Sequence, residues 1–295
     1  MAILLKKESK VIIQGITGNQ GSFHCKQMLD YGTNIIAGVS PGKDGTKIHN
    51  IPVYDSVSMA RQYHGNIDIS IIFVPAPYAK DAALEAIYNR VAMIVLITEH
   101  IPLKDTIIII NAAQKQGVIV LGPNTYGIVS SGLSKVGIMP SQYFQPGPIG
   151  VVSRSGTLSY EIVSKLYNNG LGTSTVVGLG GDKITGLTFP DTLEKFQQDN
   201  DTKAIVLIGE IGGTAEEEAA EYIKNHITKP VVAYLAGKSV PPDKRMGHAG
   251  AIIEKGKGTF EAKVKALKDA GVFVASVPSQ VPEGIRGRMS EVSSR

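Results

Sequence analysis

Cysteine is all but missing from these 295 residues: Cys25 stands alone. No internal disulfide can form and no cysteine-rich metal site exists, which points to a reducing compartment. Long apolar runs are missing as well. The longest, VAMIVLIT (91–98) and TIIIIN (106–111), fall far short of the roughly 20 residues that a membrane span needs. The opening MAILLKKESKVIIQG carries its lysines after its short apolar run, which is the reverse of a secretory leader. A strand pattern begins at Lys10 and leaves no room for a transit peptide. An excess of one charge is lacking too. Thirty Lys and Arg stand against 26 Asp and Glu, interspersed, for a net +4. That balance gives a nucleic-acid role no support and suits small anionic molecules better. These absences imply a cytoplasmic chain, or the processed form of a mitochondrial-matrix protein.

What is present is an alternation. The length allows two domains, each with a core, and the 43% hydrophobic and 19% charged content is ordinary for a globular protein. Apolar runs at 10–15, 34–40, 69–77, 92–99 and 118–124 read as five buried strands, with helical patterns such as 78–90 and 103–116 between them. Continuous apolar strands with helical crossovers predict a parallel sheet covered on both faces. Residues 1–127 are therefore expected to form a Rossmann-like domain. The Gly-, Ser- and Pro-rich stretch ending at 148 reads as a linker over 128–148. Strands at 149–153, 173–179, 203–210, 230–236 and 272–276 then predict a flavodoxin-like parallel α/β domain over 149–277. Residues 278–295 read as a loosely attached C-terminal tail.

QGITGNQGSFH (14–24) follows the first strand and opens a helix, with glycines at 15, 18 and 21. Such glycines permit a tight turn, and a helix N-terminus offers unpaired N–H groups to a phosphate. An NAD site has Asp or Glu at the next strand end, holding the ribose diol. Here that place reads VSPGKDG (39–45), with Ser40 and Lys43 and no acid at the tip. Lys43 suits a ribose phosphate, as in NADP or coenzyme A, or is a solvated turn lysine beside Asp44.

Ligands of a parallel sheet bind beyond the carboxyl ends of its strands. Three loops of the second domain share that rim: SRSGTLSYE (153–161), GEIGGTAEEE (209–218) and GKSVPPDKRMGHAGA (237–251). In the first, Ser153, Ser155, Gly156 and Thr157 fit an anion site at a helix start, or a simple helix cap. In the second, Glu216, Glu217 and Glu218 offset a helix dipole and read as structural. Glu210 has no such explanation, and it can orient an imidazole by accepting from Nδ1–H. The third sets His248 between Gly247 and Ala249–Gly250, where a large group can approach. A neutral imidazole held at Nδ1 presents Nε2 as a nucleophile, and phosphohistidine is the chemistry expected.

These loops, with VPAP, ITE, KRMGHAGAII and KGT in the same order, resemble the α-subunit family of succinyl-CoA synthetases (succinate–CoA ligases, ADP- or GDP-forming). The resemblance covers nearly the whole chain to about residue 275. It implies an acid–thiol ligase that interconverts succinyl-CoA, phosphate and a nucleoside diphosphate with succinate, CoA and the triphosphate. By resemblance, His248 carries the phosphoryl group after a succinyl-phosphate intermediate, and Glu210 orients it. CoA is implied to bind through Thr17, Gly18, Asn19, Gln20, Ser40, Pro41, Lys43, Ile97, Thr98 and Glu99. Tyr160 matches a substrate-region tyrosine at the subunit contact. The chain has no Walker A motif, so nucleotide and Mg²⁺ are expected on a β subunit with an ATP-grasp domain, in an αβ or α2β2 assembly. No metal ligand is assigned to this chain, and neither nucleic acid nor membrane is an expected partner.

Three departures from the family pattern stand out: Thr125-Tyr126 in place of Cys-Pro, His100 in ITEHIP, and Lys183 in GGDKITG. Malate–CoA ligase, ADP-forming acyl-CoA synthetase and ATP-citrate lyase share the catalytic loops, so a related acyl-CoA ligase α subunit is the alternative. An NADP-dependent oxidoreductase would use the first domain alike, but leaves the GHAGA and SRSGT loops unexplained.

Overall fold

The computed structural model describes residues 2–239, 247–248, 250–253 and 258–293. The first half runs β1 (Val11–Gln14), α1 (Asn19–Tyr31), β2 (Ile35–Val39), β3 (Lys47–Ile48), β4 (Ile51–Tyr54), α2 (Val57–His64), β5 (Ile69–Ile72), α3 (Ala76–Tyr88), β6 (Met93–Leu96), α4 (Leu103–Gln116) and β7 (Ile119–Leu121). Its sheet has the order β3-β4-β2-β1-β5-β6-β7. All pairings are parallel except β3 with β4. Without the antiparallel edge strand this is the order 3-2-1-4-5-6 of a dinucleotide-binding sheet. Six parallel strands replace the five expected. The extra one, β4, contains Pro52 and buries only Val53 fully, so it lacks the continuous apolar signal of a central strand.

The second half runs β8 (Gly127–Ser130), β9 (Ser134–Gly137), β10 (Pro146–Ser153), α5 (Gly156–Asn168), β11 (Thr173–Gly178), α6 (Phe189–Gln198), β12 (Ala204–Glu210), α7 (Ala215–His226), β13 (Val231–Ala236), α8 (Phe260–Asp269), β14 (Phe273–Ala275) and α9 (Val281–Ser293). The order β14-β13-β12-β10-β11 is the flavodoxin-like arrangement, extended by the β8–β9 hairpin. The hairpin joins the sheet antiparallel to β11, with Val176 opposite Val129. Residues 128–148 are thus not a free linker. Every residue of β8 and β9 is buried, and Gly127 and Gly137 face each other across the pair. A Cβ on Gly127 would stand 2.1 Å from the Val136 carbonyl oxygen, so the linker-like glycines are there for close strand approach.

Residues 278–295 are not a loose tail either. α9 buries Val281 and Ile285 completely, in the cluster that holds Val206 and Val232. A Cβ on Gly284 would meet the Phe273 ring at 2.6 Å. One proline and two glycines in VPEGIRGRMSEVS hide this helix from a propensity reading.

The two halves also share a core. One buried cluster runs from Val11 and Ile71 of the first sheet to Val152 and Leu207 of the second. The N-terminal segment crosses over as well: Ile3 N–H donates to Thr175 Oγ1 at 3.3 Å, and Ser130 Oγ donates to the Leu5 carbonyl at 2.6 Å. Among the described residues no helix is long and apolar enough to cross a membrane.

Candidate functional site

Two sets of strand ends carry the residues singled out above. At the first, Gly15 leaves β1 at φ +84°, and a Cβ on Gly21 would lie 2.1 Å from the Gly15 carbonyl oxygen. Small residues at both points let α1 start directly under the turn. The helix begins at Gly18 with no side-chain cap and no acid in its first turn, which leaves its positive end uncompensated. Thr17, Gly18, Asn19 and Gln20 are all exposed there. Thr17 Oγ1 donates to Ser40 Oγ at 2.9 Å, which joins this loop to the end of β2. Ser40 is buried, whereas Pro41 and Lys43 are exposed. The backbone N–H groups of Lys43 and Asp44 both donate to Asp55 Oδ1, at 2.9 and 3.0 Å. Asp55 shapes this turn and went unnoticed in the sequence. Ile97, Thr98 and Glu99 follow β6, with Thr98 Oγ1 donating to the Val74 carbonyl at 2.7 Å.

At the second set, the loops after β10, β12 and β13 meet as expected. His248 Nδ1 lies 2.8 Å from Glu210 Oε2. A carboxylate only accepts, so Nδ1 carries the proton and nucleophilic attack falls to Nε2. The Glu210 hydrogen bond holds His248 above its ordinary value, against burial. The Glu210 and Asp182 charges add to the rise, while Arg154 opposes it. The cavity beside the ring has a volume of about 320 Å³ and is lined by Ser155, Leu158, Glu210, Ile211, Gly237 and His248, among others. Ser155 caps α5, its hydroxyl accepting from Leu158 N–H at 3.5 Å. The α5 N-terminus therefore opens onto the imidazole.

The proposed anion-site residues divide. Ser153 is fully buried, and its hydroxyl is spent on Ser155, accepting from its N–H at 3.0 Å and donating to its carbonyl at 2.9 Å. It shapes the helix start and is not placed as a ligand. Thr157 is exposed, and neither it, Gly156 nor Tyr160 lines the cavity. Tyr160 packs edge-on against Tyr126 with centroids 5.9 Å apart, and burial pushes its phenol up to about 12.

Three contributors escaped the sequence reading. Arg154 is buried, with Nε 3.7 Å from Glu210 Oε1 and Nη2 donating to the Asp182 carbonyl at 3.1 Å. That Oε1 accepts no hydrogen bond among the described residues. Gly181 lies against the imidazole, where a Cβ would come within 2.4 Å of His248 Cγ. Glu216 is not a simple dipole partner. It is fully buried, and its Oε1 accepts the Glu210 N–H at 3.0 Å. Serine and glycine spacing marked the loops, but nothing local marked these contacts.

The departures have different fates. Thr125 and Tyr126 are buried, with Thr125 Oγ1 bonded to the Gly178 carbonyl and Tyr126 OH to that of Val177. They serve packing between the two halves. His100 is exposed, at φ +61°, near Glu99. Lys183 is exposed at the mouth of a separate cavity of about 330 Å³ that Arg154 also lines. A backbone path links the two sites: Asn124 N–H donates to Thr98 O, Gly181 N–H to Asn124 O and Gly250 N–H to Gly181 O. Of the motif residues, Lys244, Arg245, Met246, Ala249 and Lys257 lie outside the described residues. Among the described residues no group of three His, Cys, Asp or Glu side chains is placed to hold a metal ion.

The CoA binding domain family matches residues 6–100, and the CoA-ligase family matches residues 152–273. The first match takes support from the NADP alternative. The chain is 52% identical over 287 residues to the succinate–CoA ligase (ADP-forming) subunit alpha of Methanothermobacter thermautotrophicus, covering 97% of each protein. It is 51% identical over 287 residues to the protein of the same name from Aquifex aeolicus, covering 97% of this chain and 94% of that one. Among solved structures, ATP citrate lyase from Methanothrix soehngenii, in complex with citrate and coenzyme A, superposes with a TM-score of 0.89 at 26% identity. That match covers 99% of this chain but 51% of the lyase, so the chain spans about half its length.

Proposed function

This chain belongs to the succinate–CoA ligase α-subunit family, and from that premise we propose that it carries the phosphohistidine of a reversible succinate–CoA ligase. Phosphate attacks the thioester of succinyl-CoA, which releases the CoA thiol and leaves succinyl phosphate. His248 Nε2 then takes the phosphoryl group, and succinate leaves as the carboxylate. The phosphohistidine passes the phosphoryl group to a nucleoside diphosphate, and Nε2 regains its lone pair.

The observation that carries this reading is the 2.8 Å contact of His248 Nδ1 with Glu210. A carboxylate there keeps the proton on Nδ1 and stabilises the positive ring that forms when Nε2 is phosphorylated. Arg154 Nε stands 3.7 Å from the other oxygen of Glu210 and places a cation beside the carboxylate. The start of α5, where Ser155 and Leu158 line the cavity, turns the positive end of the helix toward the transferred phosphoryl group.

CoA binds the exposed residues at the strand ends of the first half. The uncapped start of α1 takes a phosphate, and Lys43 takes the phosphate on the ribose. The fit is supported by the close Gly15–Gly21 approach, which any side chain would fill. Nucleotide and Mg²⁺ belong to a β subunit with an ATP-grasp domain, where the metal offsets phosphate charge. Succinate is favoured over citrate or malate because the relatives above 50% identity are named succinate–CoA ligases.

The test is phosphorylation of the chain by radiolabelled ATP, Mg²⁺ and its β subunit. Acid-labile, base-stable label on His248 is expected, and succinate with CoA should discharge it. Label that persists in His248→Asn would sink the reading.

A further inference from the structure

Glu216 and Lys263 stand outside the cavity around His248 and have no part in the steps above. Both are completely buried. The Lys263 ammonium donates to Glu216 Oε2, to Glu217 Oε2 at 2.8 Å and to the Gly213 carbonyl at 3.1 Å. The second oxygen of Glu216 accepts the backbone N–H of Glu210. One hydrogen bond thus separates a buried ion pair on α7 and α8 from the peptide that carries the histidine's partner.

Stability does not explain the arrangement. Burying two charges costs several kcal/mol in desolvation per ion, and an apolar pair of similar volume is often as stable or more so. Geometry explains it better. A Cβ on Gly209 would lie 2.5 Å from Glu216 Cγ, so this carboxylate is pressed against the end of β12. Beyond Glu210 the chain turns through Gly212 and Gly213 at φ +91° and +58°. Gly212 N–H donates to the Gly258 carbonyl at 2.8 Å, and Lys263 grips Gly213 from the same side. The turn after Glu210 is therefore clasped by α8 and the segment before it.

We propose that Glu216 is a positioning residue for phosphoryl transfer: its Oε1 holds the Glu210 peptide, and Lys263 offsets the charge that this buried acceptor carries. The inference rests on His248 as phosphoryl carrier. A small shift of Glu210 would loosen its bond to Nδ1, and near 1 Å of misplacement costs about a hundredfold in rate.

Two double variants of the full chain, assayed with its β subunit, separate positioning from support. Glu216→Gln/Lys263→Met removes both charges and keeps an acceptor for the Glu210 N–H. Glu216→Leu/Lys263→Met removes both charges and the acceptor, and fills the space. The Gln variant should phosphorylate within about threefold of the parent kcat. The Leu variant should melt no lower, yet lose about tenfold or more in kcat with unchanged KM for ATP. Its ¹⁵N-histidine spectrum should show the His248 Nδ1 proton weakened or shifted. A Leu variant with parent kcat and parent spectrum overturns the proposal, as does a folded Gln variant that is equally slow. An unlabelled parent chain would instead refute the phosphohistidine reading. The Nδ1 proton needs no phosphoryl donor and still decides between the two double variants.

Discussion

Glu210 and His248 meet at 2.8 Å across 38 residues of chain. Glu210 closes β12, and His248 sits in the loop that follows the neighbouring strand β13. Parallel pairing of Glu210 with Ala236 sets both loops on one rim, and Gly181 supplies the floor on which the ring lies.

The raised basicity of His248 makes phosphorylation pH-dependent. Neutral imidazole is the nucleophile, so the rate should rise with pH through a midpoint above 6.5. The bond to Glu210 stabilises the fold fully below pH 6.5, and that stabilisation fades as pH rises through the raised midpoint. Glu210→Gln should move the midpoint down and cut the rate by about 10- to 100-fold. Histidine ¹⁵N titration and single-turnover labelling measure the two effects separately.

Gly181→Ala should leave the fold intact and abolish most phosphorylation. Its new Cβ would lie 2.4 Å from His248 Cγ and 2.7 Å from Nδ1, so the ring must move. A loss of about a hundredfold in labelling rate is expected, with CoA affinity measured by calorimetry unchanged.

Arg154→Met takes the cation from beside a buried carboxylate. Removing one member of a buried pair costs about 3–5 kcal/mol, visible in denaturant unfolding. Because Arg154 pulls the His248 value down, the same change should raise it further. A histidine titration that moves the other way would refute this role.

Lys43→Ala tests the ribose-phosphate contact. CoA should bind about tenfold more weakly, the worth of ~1.4 kcal/mol, while dephospho-CoA should bind mutant and parent alike. Equal losses for both ligands would assign Lys43 to the pyrophosphate or to the loop.

Lys135 should make stability depend on alkaline pH. It is buried against neutral acceptors, Met139 O at 3.0 Å and Ser141 Oγ at 2.8 Å, and burial pushes its amine down to about 8. Between that value and 10.5 the unfolded chain binds the extra proton, so this group stabilises the fold as pH rises. Lys135→Met should remove that part of the slope in melting experiments.

Much of this was legible along the chain. Ten strands were readable as apolar runs, because parallel strands are buried on both faces. Both sheet types followed from the alternation. The rim loops were readable because strand ends recur at known offsets, and that placed Glu210 beside His248. The strand β4, the hairpin and α9 were not, since proline, glycine and serine there look like punctuation.

What the sequence by itself determined is the alternation, the glycine turns and the chemistry of the loops, all of which depend on neighbours within a few residues. Tertiary structure alone decided that Arg154 faces Glu210, and that Glu216 reaches back to the Glu210 peptide while Lys263 closes on it. These contacts join residues of separate elements, which only the packing of those elements brings together, and burial of Lys263 and Glu216 makes each depend on the other for a partner.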